Sequence, residues 1–106
     1  LPAQEGSFTA TLVSAFKTCG DRSDCQVTGA ALDFETQQIA LLSHNKVWLL
    51  SEYTGDDFFS GRIEKVKLGH SSQKESICFK DSQTLYIADE QNGIEGGNLY
   101  VLSLNK

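Results

Sequence analysis

Short runs of aliphatic and aromatic residues alternate with clusters of Gly, Asn, Asp and Ser along most of the chain. Runs of about four to eight such residues between turn-forming clusters are typical of β-strands. The pattern predicts strands at residues 8–16, 29–34, 39–43, 47–52, 62–68, 76–80, 85–88 and 99–104. No long stretch carries the apolar stripe of an amphipathic helix. The sequence therefore predicts an all-β fold.

Three of the predicted strands differ in how their apolar residues are spaced. Residues 62–68 carry several charges between apolar positions, which is typical of an exposed edge strand. Residues 47–50 and 99–102 are apolar at successive positions. We expect both of these strands to be buried on both faces, because only a strand between two layers needs apolar residues on each side.

The strand pattern repeats once along the chain. Segment 28–32 aligns with 75–79, segment 39–43 with 85–89, and segment 47–51 with 99–103, at offsets of 47, 46 and 52 residues. A unit of four short strands with this period is typical of a β-propeller blade, whose repeats span about 40–50 residues. We predict blade one at about 28–68 and blade two at about 75–104. An outer strand such as 8–16 completes blade two, giving the order D-A-B-C-D-A-B-C. The alternative is a compact eight-stranded sandwich or barrel.

A family resemblance points the same way. Segments 27–33, 73–79 and 85–90 resemble blade sequences of secreted bacterial β-propellers of the NHL-repeat, gluconolactonase-like and esterase-like-phytase type. Inner strands in that family often begin with a Thr-Gly or Glu-Gly pair; Thr28-Gly29 keeps this pattern, whereas Ser76 replaces the glycine. Because a propeller ring has typically 4–8 blades, the resemblance implies that further blades of a longer chain, or identical copies, complete the ring.

Charge and hydropathy narrow the choice of partners. Fourteen acidic and nine basic residues give a net charge of −5, and the sequence shows no local basic patch, so we predict no nucleic-acid partner. The apolar runs are far shorter than the ~20 residues of a membrane helix, so we predict no membrane span. The chain has no Met, even at its start, so we expect that a preceding segment has been removed.

The cysteines suggest a compartment. Cys19 and Cys25 flank a short polar loop, and we predict a disulfide between them, with two free thiols as the alternative. Disulfides persist mainly in oxidising compartments, so the predicted location is secreted, periplasmic or at the cell surface. Cys78 lies in an apolar run and is expected to be a buried small hydrophobe.

The direction of the strands collects polar residues at one end of the predicted blades. We predict a ligand-binding site there, formed by Thr28, His44, Glu75, Asp89 and Glu90. No cofactor is predicted, with calcium as the alternative, since Glu75 and Asp89 could supply part of its oxygen ligands. The competing interpretation is that these polar groups simply face water.

No catalytic residue is assigned. The chain lacks the G-x-S-x-G elbow of serine hydrolases and the lysine-bearing phosphate loop. The favoured function is a non-catalytic binding or scaffold module of a secreted or cell-envelope β-propeller protein that presents its loops to a protein or glycan. The alternatives are part of a metal-dependent lactonase-like or phytase-like hydrolase, and a lectin-like ring of identical copies.

Overall fold

A computed structural model describes residues 9–12, 26–90 and 97–104. The described residues form two antiparallel sheets and no helix, so they include no helix that could cross a membrane. The first sheet has the order β1-β2-β3-β4 and the second the order β5-β6-β7. The strands are β1 (Gly29–Leu32), β2 (Ile39–Leu42), β3 (Lys46–Ser51), β4 (Arg62–Lys67), β5 (Lys74–Asp81), β6 (Thr84–Asp89) and β7 (Leu99–Ser103). The all-β prediction is confirmed for this part of the chain.

The strands occur where the sequence predicts them, apart from the first. Residues 9–12 are exposed and lie in no strand, and the remainder of the predicted strand 8–16 is outside the described residues. β1 ends two residues early because Asp33 begins a turn: its backbone N–H donates to the carbonyl of Gln38, and its own carbonyl accepts from Gln37 N–H. β5 is longer than predicted and contains register shifts between Lys74 and Ser76 and between Phe79 and Asp81.

One apolar core joins the two sheets. Ala40, Leu42, Val47 and Leu49 of the first sheet pack with Leu85 and Ile87 of the second, and all six are buried. These positions follow every second residue of their strands, so they share one face of each sheet. We call these two faces the core faces. At one margin β1 packs against β5, where Gly29 lies beside Glu75 and Ile77.

The opposite face of the first sheet, which we call the outer face, is also covered at its centre. Trp48 and Leu50 alternate with the core residues of β3 and are 3% and 1% exposed. The prediction that β3 is buried on both sides is confirmed. β4 lies at the margin of the sheet with several exposed residues, as expected for an edge strand.

None of the described residues covers the opposite face of the second sheet. This open face consists of Cys78, Tyr86, Ala88, Leu99 and Val101; Leu99 is 67% and Val101 64% exposed. Two predictions are wrong here. β7 is not buried on both sides, and Cys78 is an exposed free thiol rather than a buried hydrophobe. The residues of the open face are mostly apolar, but in the described part of the chain nothing packs on this face.

Candidate functional site

A polar cleft of about 620 Å³ lies where β5 begins, at one end of the two sheets. Thr28, His44, Glu75 and Glu90, four of the five predicted ligand-binding residues, line it. They come from the start of β1, the β2–β3 turn, the start of β5 and the end of β6. The antiparallel meander brings these strand ends together, so residues far apart in sequence share one wall. The other lining residues are Gln26, Val27, Gln73, Lys74 and Ser76.

Lys74 forms the base of the cleft and holds its wall in place. Its side chain is only 1% exposed, and its Nζ donates to the carbonyl of His44 at 2.8 Å and to Oγ of Ser72 at 2.7 Å. The ammonium also lies 5.5 Å from the ring centroid of Tyr100. Burial lowers the pKa of Lys74, and the nearby Asp89 carboxylate partly opposes this shift.

Asp89, the fifth predicted residue, lies beside Lys74 rather than on the wall of the cleft. One carboxylate oxygen accepts from the backbone N–H of Asn98 and the other from the hydroxyl of Tyr100, both at 2.8 Å. These two hydrogen bonds lower the pKa of the Asp89 carboxyl, with smaller contributions from Ser72 and from the Lys74 charge. Asp89 therefore acts on the cleft through Lys74 and the strand β7.

Ser72 and Lys74 place a hydroxyl beside an amine, which are the two groups of a nucleophile and its base. The contact between Oγ and Nζ is short, but the ammonium is the donor in it. The Ser72 hydroxyl in turn hydrogen-bonds to the Asp89 carboxylate, which contributes to the lowered pKa of that group. A serine whose proton is directed to a carboxylate is not activated by the neighbouring amine. The arrangement resembles a satisfied buried polar network more than a catalytic pair.

The predicted metal ligands, Glu75 and Asp89, are separated by their roles in the strands. Lys74, and not Glu75, is the register partner of Asp89, and Glu75 falls in the register shift that follows. Glu75 is exposed at the cleft, whereas both oxygens of Asp89 accept hydrogen bonds. In the described ranges no group of three or more His, Cys, Asp or Glu residues could hold a metal ion.

Sequence reasoning missed the residues that organise the site. Lys74, Ser72 and Tyr100 gave no signal, because a lysine two residues after a serine is ordinary in a polar loop and Tyr100 has the pattern of any aromatic residue in a strand. Only the folded chain places the three around Asp89. Cys19 and Cys25, with their predicted disulfide, lie outside the described residues.

The cleft is rich in hydrogen-bond acceptors and carries negative charge at its mouth. Glu75 and Glu90 are both exposed there. Lys74, the lysine among the described lining residues, is buried and already engaged by protein oxygens. Carboxylates accept hydrogen bonds from hydroxyl and ammonium groups and repel anions. The site is therefore suited to a neutral or cationic ligand that donates hydrogen bonds.

Comparison with known proteins identifies no relative. No protein-family model, no curated protein and no solved structure matches the chain.

Proposed function

We propose that this chain is a non-catalytic binding and scaffold module of a secreted or cell-envelope β-propeller protein, with the cleft at the start of β5 as its ligand site. The observation that carries the proposal is the convergence of Thr28, His44, Glu75 and Glu90 on one polar cleft. Hydroxyl-rich glycans are the ligand class that fits best, because they offer many donors to acceptors such as Glu75 and Glu90.

Matching strand registers support the propeller part of the proposal. Gly29 pairs with Leu42 in the first sheet, and Ser76 pairs with Ala88 at the corresponding place in the second. Further along, Leu42 pairs with Val47, and Ala88 with Leu99. Two meanders that share pairings and pack face to face are what two successive blades require.

The uncovered face of the second sheet supports the scaffold part. In the first sheet, the corresponding face is covered by the core face of the second sheet. We therefore infer that a further β-sheet covers the open face. Its covering side chains would be aliphatic and aromatic, like those on the core face of β5–β7. A second copy fits less well. The outer face that another copy would have to offer in a head-to-tail ring already has Trp48 and Leu50 buried.

A titration with neutral oligosaccharides tests the binding proposal. Cellobiose, maltose and N-acetyllactosamine are added to isotopically labelled protein while backbone amide shifts are followed. We expect shifts confined to the cleft, and about tenfold weaker binding in Glu75→Gln and Glu90→Gln, because each variant loses a charged acceptor. Glu52→Gln is the matched control, since Glu52 is exposed and lies away from the cleft. Shifts spread evenly over the surface, or equal losses in the control, would refute the binding site.

Light scattering tests the occupant of the open face. The proposal expects a monomer that binds the apolar dye ANS, and weaker dye binding in Val101→Lys with unchanged folding. Self-association that Val101→Lys abolishes would instead identify a second copy as the occupant and support the ring alternative.

The hydrolase alternative requires a bound divalent ion. Calcium-dependent stabilisation that is lost in Glu75→Gln would favour it over the present proposal.

A further inference from the structure

A second pocket, of about 550 Å³, lies on the outer face of the first sheet and has the opposite charge. Three of the nine basic residues of the chain line it: Lys46 from β3, and Lys65 and Lys67 from β4. The remaining lining residues are Asn45, Gly69, His70 and Ser71. No carboxylate is among the described residues that line it, in a chain whose net charge is −5. The sequence shows no basic patch because the lysines come from two strands.

The strand pairing forces these lysines together. Lys46 lies directly opposite Lys67, and Lys65 lies opposite Trp48, so alternation places all three lysines on one face of the sheet. Like charges directly opposite each other in a sheet are destabilising. Among the described residues, neither Lys65 nor Lys67 has a carboxylate at ion-pair distance to offset this repulsion. An anion bound between them would offset it.

Two further lining residues add polar groups that suit such a ligand. The Oδ1 atom of Asn45 is buried and has no hydrogen-bond partner among the described residues. His70 is exposed, and its ring lies 4.9 Å from that of Tyr100, which fixes one wall of the pocket. A hydrogen phosphate group offers oxygens to lysines and one O–H to an unpaired carbonyl oxygen, whereas sulfate has no donor.

We propose that this pocket binds a phosphate group, held by Lys46, Lys65 and Lys67 with Asn45 as acceptor of its hydroxyl. The pocket is distinct from the cleft described above, although consecutive residues, His44 and Asn45, line the two sites. The proposal does not depend on the propeller assignment, since it rests on the pairing of β3 with β4.

Phosphate titration at constant ionic strength tests the proposal. Inorganic phosphate is added to labelled protein near neutral pH, with sodium chloride and sodium sulfate as parallel titrants, and backbone amide shifts are followed. We expect phosphate to shift residues 45–46, 65–67 and 69–71, to bind more tightly than sulfate, and to leave the cleft residues unchanged. Lys65→Gln/Lys67→Gln should weaken phosphate binding about tenfold, since each exposed charge contributes modestly.

Controls separate a binding role from a structural one. Lys80→Gln removes an exposed strand lysine of the second sheet that also lies over an aromatic ring, and it should leave phosphate affinity within about twofold. The double variant should unfold at the same or a higher urea concentration than the wild type without phosphate, because it removes like-charge repulsion. Phosphate shifts no larger than those of chloride, equal loss in Lys80→Gln, or sulfate binding as tight as phosphate would overturn the proposal.

Discussion

The same substitution on corresponding faces of the two sheets tests whether only one side of the second sheet is covered. Val47 in β3 and Val101 in β7 are both valines at positions facing the same direction in their sheets. Val47 is fully buried, whereas Val101 is 64% exposed. We therefore expect Val47→Ala to destabilise the chain strongly and Val101→Ala to have a small effect.

The exposures set the magnitudes. Truncating a buried valine removes two methyl-sized groups at about 0.8 kcal/mol each, and the cavity left behind adds about 1 kcal/mol, for a loss of about 2–3 kcal/mol. At Val101 only about a third of the side chain leaves water on folding and no cavity forms, so the loss should be about 0.5 kcal/mol. The intrinsic cost of alanine in a strand is similar at both positions and largely cancels in the comparison.

Urea denaturation measures the difference. A gap of about 2 kcal/mol moves the midpoint by about 1–2 M for a chain of this size. Equal midpoints for the two variants would show that Val101 is buried in solution, and the open face would then not be available for a further sheet. Measuring both variants at several protein concentrations distinguishes burial within one chain from burial by self-association.

Three further changes have defined outcomes. Tyr100→Phe should destabilise the chain at neutral pH, because the Asp89 carboxylate loses the hydroxyl donor of Tyr100. The backbone N–H of Asn98 first, and then the Tyr100 hydroxyl, lower the folded-state pKa of Asp89. Their contribution is present above the ordinary carboxyl pKa and is lost as the pH falls through the lowered folded-state pKa, so the urea midpoints of wild type and variant should converge in acid. Asp33→Ala should show the same pH dependence, because hydrogen bonds to Asp33, the strongest of them from the Thr36 hydroxyl, lower the pKa of its carboxyl. A difference in urea midpoint between wild type and variant that stays undiminished in acid would contradict the prediction in either case. Glu52 has a φ of 56°, in the left-handed region that glycine adopts without strain. Glu52→Gly should therefore raise the free energy of unfolding by about 0.5–1 kcal/mol in the same assay. A lower free energy of unfolding would show that the Glu52 side chain stabilises the turn.

The pattern of apolar residues was enough to predict β1 to β7, although not the strand expected at residues 8–16, because each strand needs one apolar face wherever it packs. It could not predict which faces are covered. Residues 47–50 and 99–102 have the same apolar pattern, yet the first stretch is buried and the second contributes exposed residues to the open face. Coverage depends on what lies on the far side of a sheet, and that is a property of the assembly rather than of the strand.

For the candidate sites, too, the sequence predicted some of the residues and missed others. Strand direction predicted that Thr28, His44, Glu75 and Glu90 would meet, since antiparallel connections return the chain to one end. The buried Lys74 and the lysine pocket were missed for a shared reason. Each arises from register: Lys74 lies opposite Asp89, and Lys46 opposite Lys67. A shift of one residue would turn every such side chain to the other face, so periodicity alone does not specify these pairs.

Register and coverage together explain why Gly29 and Ser76 differ although they occupy corresponding places. A Cβ at Gly29 would lie 3.1 Å from the carbonyl oxygen of Glu75 and 3.5 Å from Cγ2 of Ile77, because β5 packs closely there. Ser76 is exposed on the uncovered side, where a side chain has room. Gly29→Ser should therefore cost about 1–3 kcal/mol through overpacking, whereas Ala30→Ser, on the exposed side of the same strand, should be within about 0.5 kcal/mol of the wild type. Equal stability of the two variants in urea would show that close approach of β5 is not the reason for glycine at position 29. If the expected difference is found, a sheet that docks on the open face must leave more space at Ser76 than β5 leaves at Gly29.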